Sequence, residues 1–238
     1  MAILELHEVR GGYGSLPVLH SLSLEVEEGQ TAVILGLNGA GKTTTLLHIA
    51  GMMNPWGGTI HFDGQEATDW STSKFVAAGL VLVPEGRRVF PALSVTKNLQ
   101  MGAWTKRKKS SFIKERMELA FDYFPRLQER SGQMAGTLSG GEQQMLAIAR
   151  GLMSDPKLLM IDEASLGLSP LLASSVFNIV KRINADGVTV ILVEQNTGAV
   201  AIADKTFVME KGSIVFSGTG SEVLESPEIR EAYLGAPA

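Results

Sequence analysis

Ala32-Val33-Ile34-Leu35-Gly36-Leu37-Asn38-Gly39-Ala40-Gly41-Lys42-Thr43-Thr44 joins four consecutive apolar residues to a glycine-rich turn that ends in Lys-Thr. The apolar run has strand length and no polar break, which predicts a central parallel strand covered on both faces. Lys42 to Ala50 reads as a helix. A Gly-four-residues-Gly-Lys-Thr spacing set between a strand and a helix is a phosphate-binding loop. Its glycines let successive backbone N–H groups converge on an anion, and the helix start adds partial positive charge. Lys42 is expected to reach the β- and γ-phosphates of ATP, and Thr43, next to Thr44, to offer its hydroxyl to Mg²⁺.

Two further segments fit the same chemistry. In Leu158-Leu159-Met160-Ile161-Asp162-Glu163 an apolar strand delivers two carboxylates to its C-terminal end, where ligands bind in open α/β sheets. Asp162 is suited to hold Mg²⁺ directly or through water, and Glu163 to polarise a water for in-line attack on the γ-phosphate. Ser139-Gly140-Gly141-Glu142 has the Ser-x-x-Glu form of a capping box, and Glu142 to Met153 continues as a helical pattern. Two glycines at the first helical positions cost about 1 kcal/mol each in propensity. A cap does not require them, whereas close approach of an anion to the helix start does.

With these residues in place, the chain resembles an ATP-binding cassette (ABC) ATPase over essentially its whole length. Leu138-Ser139-Gly140-Gly141-Glu142-Gln143-Gln144 matches that family's signature, and Tyr13, in Gly11-Gly12-Tyr13-Gly14, matches its adenine-stacking aromatic residue. The resemblance implies an α/β fold, with a phosphate-loop NTPase (RecA-like) core of mainly parallel sheet, an N-terminal antiparallel β portion and an inserted α-helical subdomain. It also implies a head-to-tail pair with a second cassette, identical or paralogous, in which Ser139, Gly140, Gly141 and Glu142 meet the γ-phosphate held by the other subunit.

The finer match is to ATPase subunits of branched-chain amino acid importers. It rests on Val83-Pro84-Glu85-Gly86-Arg87-Arg88-Val89-Phe90-Pro91, Ser165-Leu166-Gly167-Leu168-Ser169-Pro170, Leu192-Val193-Glu194-Gln195-Asn196 and the ending Ala232-Tyr233-Leu234-Gly235. Glu85 stands where most cassettes place a glutamine that senses Mg²⁺ and the γ-phosphate, and Gln195 where most place a switch histidine. Ser169 replaces an aspartate. Ala164 replaces the proline after the catalytic glutamate, which restores an N–H and loosens φ.

At 238 residues the chain suits one sizeable α/β unit. Each motif occurs once, so one nucleotide-binding unit is expected, with a core over residues 1–86 and 156–238 and a helical subdomain over about 87–155. The formal charge of −4 does not favour nucleic acid as a partner. Lys106-Arg107-Lys108-Lys109 reads as a solvated loop, and the lack of cysteine excludes disulfides and thiolate metal sites. Met1 to Arg10 does not read as a signal peptide, and apolar runs such as Phe75 to Val83 fall far short of the ~20 residues of a membrane helix. Strands are also expected at Leu22–Val26, Thr59–Asp63, Val188–Val193, Thr206–Met209 and Ser213–Ser217.

The leading expectation is therefore the ATPase subunit of an importer for branched-chain or other hydrophobic amino acids. It would lie peripherally on the cytoplasmic face of the membrane, docked on polytopic permease subunits and served indirectly by an extracytoplasmic binding protein. The alternatives are a cassette of another transporter (urea, other amino acids, lipid export), or a soluble cassette in DNA repair or translation. The stretch between Lys42 and Ser139 leaves no room for the coiled coils or second cassette usual in the latter. A phosphate-loop GTPase is disfavoured because the Asn-Lys-x-Asp guanine motif is absent.

Overall fold

The computed structural model describes residues 1–226, so the ending Ala232–Gly235 lies outside the described residues. Two long strands open the chain, β1 (Ala2–Tyr13) and β2 (Leu16–Glu27), joined by a two-residue turn at Gly14-Ser15 and paired antiparallel. Then come β3 (Thr31–Gly36), α1 (Lys42–Ile49), β4 (Gly57–Phe62), β5 (Gln65–Glu66), α2 (Thr72–Ala78) and β6 (Leu80–Val83). A wholly helical stretch follows, with α3 (Val95–Gly102), α4 (Ser110–Tyr123), α5 (Pro125–Glu129) and α6 (Gly140–Leu152). The chain returns to alternation with β7 (Leu158–Asp162), α7 (Pro170–Ala185), β8 (Thr189–Glu194), β9 (Lys205–Glu210), β10 (Ser213–Gly218) and α8 (Gly220–Glu225).

These strands form two sheets. The first is antiparallel, in the order β2-β1-β4-β5, and the second runs β10-β9-β3-β8-β7-β6. All pairings in the second are parallel except the edge pair β9–β10. The expected α/β class, with a mainly parallel sheet and an N-terminal antiparallel portion, is what the chain adopts.

Strand alternation divides the interior. Ile34, Met160 and Val193 face one core, where Leu4, Leu6, Leu22, Leu24 and Phe62 of the antiparallel sheet close over α1. Val33, Leu35, Ile161 and Leu192 face the other, built with α3, α4, α6 and α7. Every residue of β3, β7 and β8 is buried, which is why these segments read as unbroken apolar runs. The helical stretch shares this second core: Val95, Leu99, Ala120 and Leu127 belong to the same cluster as Val33 and Ile161.

Candidate nucleotide-binding site

The site grows from the C-terminal ends of β3, β7 and β8. β3 lies at the centre of its sheet between β9 and β8, and the loop after it turns directly into α1. Gly39 and Gly41 adopt φ of 82° and 104°, backbone that a side chain would strain. At Gly41 a Cβ would also come within 2.9 Å of the Met209 methyl. Gly41 precedes α1 with no side-chain cap, so the first N–H groups of the helix remain available to an anion.

Lys42 has only 5% of its side chain exposed, and its ammonium donates to the carbonyls of Gly36 (2.8 Å) and Leu37 (3.2 Å). Its third neighbour is Glu163 Oε1 at 3.0 Å, whose side chain is 9% exposed. The lysine thus sits folded over the loop, hydrogen-bonded to two carbonyls and ion-paired with Glu163.

β7 carries Asp162 at its last position, and Glu163 follows with φ 51°, a left-handed conformation uncommon for glutamate. Three bonds hold this turn: Glu163 N to Val193 O (2.9 Å), Leu166 N to Glu163 O (3.2 Å) and Leu168 N to Ser165 O (3.1 Å). Asp162 is buried, and its Oδ1 has no hydrogen-bond partner. Burial pushes its carboxyl up to about 6, against the Thr43 hydroxyl that holds it down, with Glu163 and Glu85 adding repulsion. A buried carboxylate oxygen without a partner, beside a threonine hydroxyl, fits Mg²⁺. Among the described residues no group of three or more His, Asp or Glu is placed to hold a metal alone. That accords with an ion that takes most of its ligands from phosphates and water.

A cleft of about 510 Å³ brings together Tyr13, Lys42, Thr43, Thr44, Glu85 and Glu163, with the loop glycines and Asn38. Tyr13 stands at the tip of the β1–β2 hairpin, 51% exposed, with its hydroxyl 3.4 Å from Thr44 Oγ1. An open aromatic face beside an anion cradle suits a nucleotide base. Glu85, just after β6, is exposed toward the same space.

Of the expected residues, Gly36, Leu37, Ala40 and Asp162 are not part of the lining, and the signature turn and Gln195 do not line the cleft either. Ser139 caps α6 with both halves of the capping box in place: Glu142 N donates to Ser139 Oγ (3.4 Å), and Ser139 N to Glu142 Oε2 (2.9 Å). None of Ser139 to Glu142 lines the cleft, and a Cβ on Gly140 would meet the Arg87 guanidinium at 2.8 Å. Gln195, the residue after β8, is exposed and likewise outside the lining.

One residue of the site escaped the sequence reading. Glu194 is fully buried, and its carboxylate accepts from Ser165 N (2.9 Å) and Ser165 Oγ (2.6 Å). Burial pushes its carboxyl up to about 7 despite these bonds. The only signal in the sequence is an acid closing an apolar strand.

Known proteins resemble the chain in sequence and in fold. A family model described as ABC transporter matches residues 19–166. The chain is 44% identical, over 98% of its length and 100% of the relative's, to the high-affinity branched-chain amino acid transport ATP-binding protein BraG of Pseudomonas aeruginosa. It is 33% identical, over 98% and 99%, to the probable branched-chain amino acid transport ATP-binding protein LivF of Archaeoglobus fulgidus. Among solved structures, a nucleotide-free ATP-binding cassette from an ABC transporter superimposes with a TM-score of 0.86 at 26% identity, covering 99% of this chain and 100% of that one. With a phosphate loop, a paired-carboxylate strand and a signature turn on this fold, the chain belongs to the ABC transporter family and is an ATP-hydrolysing cassette.

Proposed function

We infer that this cassette powers the import of branched-chain amino acids. The observation that carries the reading is the end-to-end similarity to BraG, 44% over the whole of that protein. In this reading the backbone of residues 36–41 and the start of α1 cradle the phosphates, with Tyr13 stacked on adenine. Lys42 exchanges Glu163 and a loop carbonyl for the β- and γ-phosphates. Thr43 and Asp162, with Glu85 nearby, would hold Mg²⁺, which when bound neutralises phosphate charge as the terminal bond breaks. Glu163, freed from Lys42, polarises the attacking water, and Gln195 donates an amide hydrogen bond to the γ-phosphate. The signature of a second cassette, the same chain or a paralogue, completes the site in trans. That none of Ser139 to Glu142 lines this chain's own cleft supports that arrangement.

Among the described residues no helix is long and apolar enough to cross a membrane. We place the subunit peripherally on the cytoplasmic face of the cell membrane, docked on polytopic permease subunits that are served by an extracytoplasmic binding protein. A cleft of about 440 Å³ supports this. It runs between the parallel sheet and the helical stretch, with the exposed Met52, Phe90 and Met101 along it, and offers an apolar seat for a permease helix. The boundaries at about residues 87 and 155 enclose the helical subdomain that forms its far wall.

The test is purification of the chain with its partners from detergent-solubilised membranes. Co-eluting polytopic subunits and ATPase activity stimulated by leucine, isoleucine or valine with the binding protein support the reading. Co-elution of ribosomes or DNA, or stimulation by an unrelated solute alone, overturns it.

A further inference from the structure

We propose that Glu194 is a positioning residue for ATP hydrolysis, fixing through Ser165 the turn from which Glu163 projects. The proposal rests on the reading of Glu163 as the water-polarising group. β8 ends at Glu194, and the next residue is Gln195, so the clamp ties two reactive positions from neighbouring strands to one buried carboxylate. Both carboxylate oxygens are used, one on the Ser165 N–H and one on its hydroxyl. Ser165 lies inside the turn closed by Leu166 N and Glu163 O, and its own carbonyl accepts from Leu168 N. A shift of Ser165 therefore moves Glu163 on one side and the Leu166–Ser169 loop on the other.

Two observations argue that the clamp is more than packing. A fully buried carboxylate is costly unless compensated, and among the described residues no cation pairs with Glu194. Its compensation comes from Ser165 and from the Asn196 backbone, so its bonds all go to the segments that flank Glu163 and Gln195. The second is the left-handed φ of Glu163, which persists only where the surroundings over-determine it. Glu194 supplies two of the bonds that do so.

The experiment compares the full chain with Glu194→Ala, Glu194→Gln, Ser165→Ala and the double variant Glu194→Ala/Ser165→Ala, measuring kcat, KM and ATP affinity per folded molecule. A misplacement of about 1 Å costs about 10²-fold, so Glu194→Ala is expected to lose about 10²-fold in kcat, with ATP affinity within about threefold of native. Glutamine can accept from the Ser165 N–H and donate to its hydroxyl, so Glu194→Gln should recover to within about fivefold of the native kcat. Ser165→Ala should lose about tenfold, and the double variant no more than Glu194→Ala, since the two act as a unit. Native kcat in Glu194→Ala, additive losses, or a loss confined to ATP affinity would each overturn the proposal, as would Glu194→Gln as impaired as Glu194→Ala. Should Glu194→Ala fail to fold, Ser165→Ala is judged on the same kcat-against-affinity split. Glu163→Gln, run alongside, separates the two ideas: native turnover there removes the role of Glu163 itself. A dead Glu163→Gln beside an unaffected Ser165→Ala and Glu194→Ala removes only the clamp.

Discussion

Glu163→Gln should do two things at once, and the second is set by the geometry of Lys42. The ammonium donates to Gly36 O and Leu37 O at 2.8 and 3.2 Å and is ion-paired with Glu163 Oε1 at 3.0 Å. A phosphate that approaches the ammonium competes with these contacts, and Glu163 is the anionic one of the three. A hydrogen bond between charged groups is worth about 1.5–3 kcal/mol, and the neutral amide of glutamine retains about half of that. Releasing roughly 1 kcal/mol of competition corresponds to about fivefold tighter ATP binding, since 1.4 kcal/mol is a tenfold change. At the same time turnover should fall by about 10²- to 10⁴-fold, the usual loss on removing a general base. Titration of ATP without Mg²⁺ by calorimetry or by displacement of a fluorescent analogue gives the affinity, and phosphate release gives the rate. Unchanged or weaker binding would refute the competition argument, whatever the rate does. Turnover at the native rate would refute the role of Glu163.

Three further outcomes follow from the same site. Glu163→Gln, with its partner cassette if that is a paralogue, should form a dimer in light scattering only when ATP is present, and a mass indifferent to ATP with every candidate partner would contradict the trans signature. Because Gln195 carries no ionisable proton, hydrolysis should show no fall-off near pH 6.5 from that position, while Gln195→Ala should be slower than native; full activity in that variant would make the residue a bystander. The raised Glu194 carboxyl has a sign as well: its folded value of about 7 exceeds the 4.5 of the unfolded chain, so its contribution to stability is complete below pH 4.5 and is lost as pH rises through 7. That interval is worth about 3 kcal/mol at most, so urea melts from pH 5 to 8 should decline less steeply in Glu194→Gln than in the native chain, Asp162 adding its own fall to both; parallel curves would refute it.

Much of the site could be read from local sequence because its parts are local. The phosphate loop, the Asp162-Glu163 strand end and the Ser139–Glu142 cap are each a few consecutive residues, and the cap forms with both of its predicted bonds. β1 was not legible as a strand. Glu8 takes φ 48° and the pairing with β2 slips between Leu6 and Val9, so the apolar residues Ile3, Leu4, Leu6 and Val9 lose the period of two. The Glu194–Ser165 pair was hidden for another reason: 29 positions separate the partners, and only the β7–β8 pairing brings them together. Phe75 to Val83, apolar throughout, is split by Gly79 at φ 104° into the end of α2 and the strand β6.

The helical stretch between β6 and β7 has no interior of its own, since Val95, Leu99, Ala120 and Leu127 are packed into the same cluster as the strands of the parallel sheet. A stretch so embedded cannot swing like a door on two loose linkers. Any reorientation of α3 to α6 over the sheet has to repack that shared cluster. A load applied to Val95 or Leu99 of α3 would therefore pass to Val33 and Ile161 through the side chains of one shared cluster.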